Sequence, residues 1–259
     1  MTPKERTTSW GGVADWYDDA VNREGSYQYD LILPNLLRLM SPKNGEKILD
    51  VACGQGFFAE QFAKKGADVI GIDIAPELIA IAKKNTHDKI KYFVGSADHM
   101  RDIADAGADK VSMVLALQNM ENAKKVFAEC HRVLKSGGAL YIVLNHPAFR
   151  VPHASSWGWD ERGQIQYRRI DAYLSESKTE IMMHPGAARA QKDKDTTVSF
   201  HRPLQYYGKL LASAGFCIGR LEEWESHKKS EAGPRARAED LARREIPMFL
   251  FLEAKKLLC

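Results

Sequence analysis

Long hydrophobic runs, paired cysteines and a large excess of charge are all missing from this sequence of 259 residues. No stretch reaches the ~20 apolar residues that a membrane-spanning helix needs, and the N-terminus has no apolar core of the kind that marks a signal peptide. The four cysteines are scattered and form no Cys-x-x-Cys pair, so the usual spacings of zinc and redox sites are absent. We therefore expect a cytoplasmic protein with reduced thiols, no metal site and no membrane span.

The charge of the chain is nearly balanced, which removes the simplest argument for a polyanionic partner. Lys and Arg number 37 against 34 Asp and Glu, a formal net charge of +3, and so small a charge does not favour nucleic acids or membrane surfaces. The most basic segment, 227–244, lacks the stacking aromatic residues of an RNA-binding surface, and we interpret it as a solvated loop with a short helix. We expect no DNA partner, and a small molecule is favoured over RNA as the substrate.

Short apolar runs alternate with helical patterns between residues 46 and 145. This alternation is typical of β-α-β units and predicts a mainly parallel sheet. Strands are predicted at 47–52, 68–72, 90–94, 111–117 and 139–145, and helices at 57–65, 76–84 and 122–134. Beyond residue 145 the pattern breaks, and we predict short strands at 164–173, 179–184 and 196–201, a helix at 203–214, and strands at 216–223 and 247–254.

A turn rich in small residues follows the first predicted strand. The seven residues from Asp50 to Gly56 read DVACGQG and lead into a helical stretch. Small residues let the backbone approach a ligand closely, and a helix N-terminus offers it unpaired N–H groups. Asp73 ends the second strand about 20 positions later, where a carboxylate can accept both hydroxyls of a ribose. Together these residues predict a nucleotide-binding site.

Glycine spacing alone leaves two kinds of nucleotide site open. Gly54, Gly56 and Ala59 fit the G-x-G-x-x-A pattern of dinucleotide-binding domains, which would make the protein a nicotinamide-dependent oxidoreductase. That pattern requires neither Asp50 at the strand end nor the small residue Ala52. The whole string resembles motif I of class I S-adenosylmethionine-dependent methyltransferases, acid-x-G-x-G-x-G, with Ala52 in place of the first glycine.

Further segments strengthen the resemblance, which covers about residues 45–145. Segments 69–84, 92–100 and 116–122 are similar to later motifs of the family, and Gly137-Gly138 is similar to its turn before the fifth strand. The nearest group is the small-molecule branch that includes quinone-biosynthesis methyltransferases. The resemblance implies an α/β fold with a Rossmann-like, seven-stranded, mostly parallel sheet, helices on both faces, and an insertion or lid after strand five.

The resemblance also implies S-adenosyl-L-methionine as cofactor and S-adenosyl-L-homocysteine as product. In the family's arrangement Asp50 steers the aminoacyl end and Asp73 binds the ribose. Because Ser96 stands where the family usually has an aspartate, we expect the backbone of Ala97 and the side chain of Asp98 to contact the adenine, with Ser96 close by. Asp98 fits a cap of the following helix equally well. The expected cofactor-binding residues are Tyr17, Asp50, Ala52, Cys53, Gly54, Gly56, Asp73, Ile74, Ser96, Ala97, Asp98, Leu115 and Gln118.

The acceptor is expected between the N-terminal segment and the insertion, because these cover the carboxyl ends of the strands. We expect a single domain whose parts are a helical cap (1–44), the cofactor-binding core (45–145), the lid (146–200) and the rest of the sheet (201–259). The candidate substrate residues are Trp16, Tyr27, Phe149, Arg150, Trp157, Tyr167 and His201. His146 is the candidate general base, with His201 and Tyr17 as rivals and a base-free mechanism equally open.

The sequence therefore favours a methyltransferase, monomeric or homodimeric, that methylates oxygen or carbon of a small molecule. Three alternatives stay open at this point. They are methylation of tRNA or rRNA, a non-catalytic protein that only binds S-adenosylmethionine, and the nicotinamide-dependent oxidoreductase.

Overall fold

The computed structural model describes residues 10–84, 88–183 and 196–257. Its strands in chain order are β1 (Lys47–Val51), β2 (Asp68–Asp73), β3 (Ile90–Val94), β4 (Ala108–Val114), β5 (Leu134–Asn145), β6 (Ser155–Asp160), β7 (Ile165–Ile170), β8 (Ser177–Met182), β9 (Thr196–His201), β10 (Phe216–Trp224) and β11 (Phe249–Lys256). Its α-helices are α1 (Ala14–Asn22), α2 (Leu33–Met40), α3 (Phe57–Lys64), α4 (Pro76–Lys84), α5 (Ala123–Val133), α6 (Leu204–Ser213) and α7 (Ala236–Glu245). Short 3₁₀ turns at Gly11–Val13 and Leu117–Asn119 precede α1 and α5, and a π-helical turn at Gln28–Ile32 leads into α2.

Seven of these strands form one sheet in the order β3-β2-β1-β4-β5-β11-β10. The pairs among β1 to β5 are parallel, whereas β11 is antiparallel to both β5 and β10. From β1 the chain adds β2 and β3 on one side and then β4 and β5 on the other, so the strand order reverses between β1 and β4. Such a reversal leaves a crevice at the carboxyl ends of the strands, where ligands bind in open α/β sheets. The predicted Rossmann-like sheet is confirmed.

Helices cover both faces of the sheet because its strands are apolar on both sides. Ile48 packs in one hydrophobic cluster with α2 and α3, while its neighbour Leu49 packs in a second cluster with α5 and α6. Phe251 and Leu252 divide between the two clusters in the same way. Successive side chains of a strand point to opposite faces, so each strand contributes to both cores.

The insertion after β5 consists of two antiparallel hairpins, β6–β7 and β8–β9, which pair separately from the main sheet. Strand β6 is absent from our sequence prediction, because Gly158 interrupts its apolar residues. In the structure this glycine lets the ring of Tyr167 on the paired strand lie across the backbone, since a Cβ there would lie 2.4 Å from the ring. The strand predicted at 164–173 is correspondingly shorter, because the chain turns after Ile170.

The basic segment 227–244 contributes a loop and most of α7. Arg235 forms an ion pair with Glu161 at 2.7 Å, and its guanidinium lies 4.5 Å from the ring centre of Trp159. The segment therefore packs against the β6–β7 hairpin. None of the helices in the described part of the chain is both long and apolar enough to cross a membrane.

Candidate active site

The loop between β1 and α3 bends through left-handed backbone. Ala52, Gly54 and Gly56 have φ angles of 56°, 57° and 91°. Gly56 has no room for a side chain, because a Cβ would lie 2.2 Å from the hydroxyl of Tyr92. Ala52 keeps the left-handed conformation although a Cβ makes it unfavourable by about 1–2 kcal/mol. Strain of this kind is retained where a binding site fixes the backbone.

Asp73, at the end of β2, fastens this loop to the second strand. Its Oδ2 accepts a hydrogen bond from the N–H of Gly54 at 2.9 Å, and its Oδ1 accepts one from the N–H of Ala75 at 2.8 Å. Burial raises the pKa of the carboxyl, and the hydrogen bonds from Ala75 and Gly54 oppose that rise. Each carboxylate oxygen has a further lone pair, so Asp73 can hold the loop and still accept two hydroxyl groups.

Asp50 lies deeper, at the end of β1, and is only 1% exposed. Its Oδ1 accepts a hydrogen bond from the Ser112 hydroxyl at 2.6 Å, while its Oδ2 is buried with no hydrogen-bond partner among the described residues. Burial raises the pKa of Asp50 to about 7, and the charge of Asp73 adds to this rise. A buried carboxylate with an unused oxygen is an energetically favourable place for a positive group.

A cleft runs along the carboxyl ends of β1 to β4, and two adjoining cavities of ≈ 130 and ≈ 460 Å³ form it. Both cavities are lined by Ala52, Asp73 and Ile74. The smaller one reaches Gly54 and Leu115, and the larger one is lined by Gly95, Ser96, Ala97 and Asp98. The cleft thus follows the crevice that the reversal of strand order creates.

Most of the expected cofactor residues meet at this cleft. Those lining it are Ala52, Gly54, Asp73, Ile74, Ser96, Ala97, Asp98 and Leu115. Asp50, Cys53 and Gly56 are buried in the β1 end and the loop, and burial raises the pKa of the Cys53 thiol, as for a packing residue. Gln118 lines a different cavity, and the side chain of Tyr17 lies outside the described residues.

A third cavity, of ≈ 1040 Å³, adjoins the cleft. It shares Trp10, Leu115 and Asn119 with the ≈ 130 Å³ part of the cleft. Leu115 has a left-handed φ of 52°, and its N–H donates to the carbonyl oxygen of Val143 at 2.8 Å. The other walls come from α1 and the turn after it, Asn145 at the end of β5, the β8–β9 hairpin and Lys228. We call this space the acceptor cavity.

The candidate substrate residues do not share one place. Trp16 and Tyr27 line the acceptor cavity, whereas Arg150 and His201 line a smaller cavity of ≈ 80 Å³ beside it. Phe149 packs against His146, and Trp157 lies beneath the guanidinium of Arg168. Tyr167 is exposed on β7. None of these three residues lines the cleft, the acceptor cavity or the smaller cavity beside it.

His146 is placed differently from the base that the sequence suggests. It is 3% exposed, and its Nε2 lies 2.7 Å from Oε1 of Glu223. Its Nδ1 accepts a hydrogen bond from the N–H of Ala148 at 3.2 Å, so Nε2 carries the proton of the neutral ring. Burial lowers the pKa of His146, and Glu223 opposes this. Because both ring nitrogens are engaged, the geometry favours a structural role that joins β5 to β10.

Several residues of the acceptor cavity are absent from the sequence prediction. Met182 and Met183 end the β8 side of the hairpin, and Asn145 ends β5. Asn145 was identifiable in principle, because it directly precedes the candidate His146 at a strand end. Lys228 gives no local signal, since it belongs to a basic loop far along the chain. No group of His, Cys, Asp or Glu suited to a metal ion occurs in ranges 10–84, 88–183 and 196–257.

The sequence of the chain is similar to those of known methyltransferases. Residues 49–142 match the protein family described as a methyltransferase domain. The chain is 43% identical over 98 residues to a demethylmenaquinone methyltransferase of Chlorobaculum parvum, and 33% identical over 101 residues to a ubiquinone biosynthesis O-methyltransferase of Aliivibrio fischeri. Each alignment covers 38% of this chain, which spans 40% and 43% of the lengths of the two relatives.

Among solved structures, the fold is similar to that of an S-adenosylmethionine-dependent methyltransferase from Mesorhizobium loti. The TM-score is 0.68 at 27% sequence identity, and the match covers 86% of this chain and 96% of the other. The similarity in structure therefore extends well beyond the segment that the family match covers.

Proposed function

We propose that the protein is an S-adenosylmethionine-dependent methyltransferase that methylates an oxygen or carbon atom of a small molecule. The match of residues 49–142 to the methyltransferase domain family and the similar fold of the enzyme from Mesorhizobium loti support this proposal. The observation that carries the proposal is the junction of two spaces. A cleft lined by the nucleotide-binding loop and Asp73 opens beside Leu115 into a cavity of ≈ 1040 Å³. A methyl donor in the cleft and an acceptor in the cavity would meet at this junction.

The residues around the cleft fit S-adenosylmethionine. Asp73 has lone pairs left for two ribose hydroxyls, and the unpaired Oδ2 of Asp50 suits the ammonium of the aminoacyl end. The part of the cleft beside Ser96 and Asp98 suits the adenine. The bound cofactor supplies a methyl group activated by its positive sulfur. The protein's own work is then to position the acceptor and to exclude water.

One side of the acceptor cavity suits a planar, apolar molecule, whereas Asp19, Arg23, Glu24 and Lys228 give it charged walls elsewhere. Trp16, Tyr27, Met182 and Met183 line it. The Tyr27 hydroxyl lies 2.9 Å from the hydroxyl of Ser226, and the Nζ of Lys228 lies 4.6 Å from the Tyr27 ring centre, so this wall is held in place. The names of the two curated relatives indicate quinone-type acceptors for those proteins. Since they match only 38% of this chain, we base the acceptor class on the cavity.

A small acceptor is favoured over RNA by the way the basic segment is used. Arg235, near its middle, is already paired with Glu161 and stacked on Trp159. Such contacts leave this arginine and this aromatic ring engaged within the protein, whereas a site for single-stranded RNA needs both exposed.

Calorimetry with S-adenosylhomocysteine tests cofactor binding. Asp73→Ala removes two charge-assisted hydrogen bonds to ribose, so we expect at least a tenfold loss of affinity, about 1.4 kcal/mol. Asp68→Ala, at the exposed start of the same strand, is the control and should bind like the wild type. Asp73→Asn keeps an oxygen that can accept the Gly54 N–H, so the loop should stay folded. A loss of affinity in this variant therefore reports the contact with ribose. Equal affinity in folded Asp73→Ala protein would refute the assignment.

Transfer of a labelled methyl group to a panel of phenols, catechols, quinols and carboxylic acids tests the reaction. We expect at least one acceptor to be methylated at a rate that saturates with acceptor concentration. Cofactor binding without turnover on any acceptor of the panel would favour the non-catalytic alternative.

A further inference from the structure

A small cavity of ≈ 80 Å³ adjoins the acceptor cavity, and the two share Gln118, Asn145 and Ile181. Among its remaining walls are two arginines, Arg150 and Arg202. A space of this size holds roughly two or three water molecules at about 30 Å³ each, which is comparable to a carboxylate group. We call it the side cavity.

Arg202 is a buried cation whose charge is not matched within the described chain. It is 4% exposed, and its Nη2 donates to the carbonyl oxygens of Met120 and Glu121 at 2.9 and 2.7 Å. Its guanidinium also lies 5.0 and 5.2 Å from the ring centres of Phe200 and Tyr206. Its Nη1 is buried with no hydrogen-bond partner, and no carboxylate lies within ion-pair distance in ranges 10–84, 88–183 and 196–257.

Arg150 adds a second cation to the same side cavity. Its side chain is half-buried and makes no hydrogen bond or ion pair with any residue that the structure describes. Burial lowers the pKa of its guanidinium, and the charge of Arg168 nearby lowers it further. Two arginines with free donors at one small cavity are costly to bury unless an anion joins them.

We infer that the side cavity is a subsite for a carboxylate group of the methyl acceptor, with Arg202 and Arg150 as its donors. The inference rests on the proposed function and narrows its substrate class to aromatic or apolar carboxylates. The apolar body of such a molecule lies in the acceptor cavity between Tyr27 and Met183, while its carboxylate passes Asn145 and Gln118 into the side cavity. Of its two terminal nitrogens, Arg202 can donate only from Nη1, because its Nη2 is already held by two backbone carbonyls. The side chain of Arg150 makes no hydrogen bond with any described residue, so its guanidinium can bind the carboxylate with two parallel hydrogen bonds and orient the acceptor.

Calorimetry with benzoate and benzamide tests the subsite, because the two probes have the same shape and differ in charge. The protein is first saturated with S-adenosylhomocysteine. We expect benzoate to bind at least tenfold more tightly than benzamide. Arg202→Gln should reduce this preference to less than threefold, and Gln can still donate to one of the two carbonyls that Nη2 holds.

Two further variants keep the test decisive. Arg150→Gln should also weaken the preference, and it breaks no side-chain hydrogen bond within the described structure. Arg169→Gln, an exposed arginine paired with Asp171 on the same insertion, changes the net charge equally and should keep the full preference.

The outcomes separate this inference from the proposed function. Wild-type protein that binds S-adenosylhomocysteine but shows no preference for benzoate, or binds neither probe, overturns the subsite alone. An equal loss in Arg169→Gln would assign the preference to general charge and overturn it as well. Failure to bind S-adenosylhomocysteine would instead contradict the proposed function.

Discussion

Among the individual residues, Asp50 is the one whose ionisation should make both the stability of the protein and cofactor binding depend on pH. Burial raises its pKa to about 7, from ~3.9 for an unperturbed aspartate. A carboxyl whose pKa rises on folding stabilises the folded state fully below its unfolded pKa, and this contribution is lost as the pH rises through the folded pKa. The cofactor-free protein therefore loses stability from Asp50 between about pH 4 and pH 7.

We expect cofactor binding to respond to pH in the opposite direction. An ammonium group beside Asp50 favours the ionised carboxylate, so the affinity for S-adenosylhomocysteine should rise from about pH 5 to pH 7 with release of a proton. Calorimetry in two buffers of different ionisation enthalpy measures both effects. Asp50→Asn should flatten the profile, while Asp68→Asn should keep it; parallel profiles for Asp50→Asn and wild type would disprove the pairing.

His146 tests whether the buried imidazole is structural or catalytic. Its two nitrogens bond to Glu223 and to the N–H of Ala148, so His146→Ala should lower the free energy of unfolding by about 1–3 kcal/mol. We expect kcat to fall less than tenfold, whereas loss of a general base typically lowers it ~10²-fold or more. Urea unfolding and methyl-transfer rates measure the two effects.

A matched pair of variants on the partner residue completes the test of His146. Glu223→Gln keeps an oxygen that accepts the Nε2–H and should retain most of the stability, while Glu223→Ala should not. A ~10²-fold loss of kcat in folded His146→Ala protein, with cofactor affinity unchanged, would restore His146 as the base.

Among the elements, the N-terminal segment closes the cofactor cleft by packing on α4. Trp10 contacts a small cluster that contains Ala14, Ala75 and Leu78. Gly11 approaches α4 so closely that a Cβ would lie 2.3 Å from the Glu77 carboxylate. The segment therefore stands over the cleft as a wall that both the cofactor and the acceptor would touch.

We expect Trp10→Ala to weaken binding of S-adenosylhomocysteine by about tenfold, because the ring lines the cleft as well as the acceptor cavity. Trp16→Ala is the matched control: Trp16 lines the acceptor cavity but not the cleft, so its loss should change the affinity less than threefold. Calorimetry measures both. Equal effects of the two substitutions would show that Trp10 does not contact the cofactor.

The elements also show which parts of the molecule a sequence can predict. Strands β1 to β4 and the helices between them follow from contiguous apolar runs, and a parallel sheet then brings the ends of β1 and β2 together. Asp50 and Asp73 were predictable for this reason. The ring of His146 was not, because its orientation depends on Glu223, which lies 77 positions further along the chain.

The walls of the acceptor cavity were harder to predict than the cofactor cleft. Lys228 and Met183 come from separate segments that no local pattern connects. Met183 reaches the cavity at the end of β8, and Lys228 lies beside the ring of Tyr27. Strand β6 was missed because its short run of serine, tryptophan and glycine has no alternating apolar pattern. It is defined by pairing with β7 rather than by its own residues.

In the molecule as a whole, the two hairpins of the insertion differ in their relation to the site. The β8–β9 hairpin lines the acceptor cavity, and the Nδ2 of Asn119 donates to the carbonyl oxygen of Val198 on β9 at 2.8 Å. The β6–β7 hairpin packs against α7 instead. We therefore propose that the lid contacts a bound acceptor through β8–β9 rather than through β6–β7.

Hydrogen exchange followed by mass spectrometry tests the lid. Addition of S-adenosylhomocysteine together with an acceptor should slow amide exchange in Ser177–Met182 and Thr196–His201 by tenfold or more. The β6–β7 hairpin is the internal control and should change less than twofold. A stable, separately folded fragment of residues 146–200 after limited proteolysis would contradict the lid and indicate an independent domain.

The position of β11 has a consequence for how the protein is made. β11 is antiparallel to β5 and β10 on its two sides, although it is the last strand of the sheet to be synthesised. The edge of β5 stays unpaired while about 100 further residues are synthesised. At typical translation rates this synthesis takes some 5–20 s. During that interval the apolar residues Ile142, Val143 and Leu144 lie along an open strand edge, the kind of surface that pairs with other nascent chains. Until β11 has been synthesised and paired, the open edge of β5 therefore makes the chain prone to association with other chains.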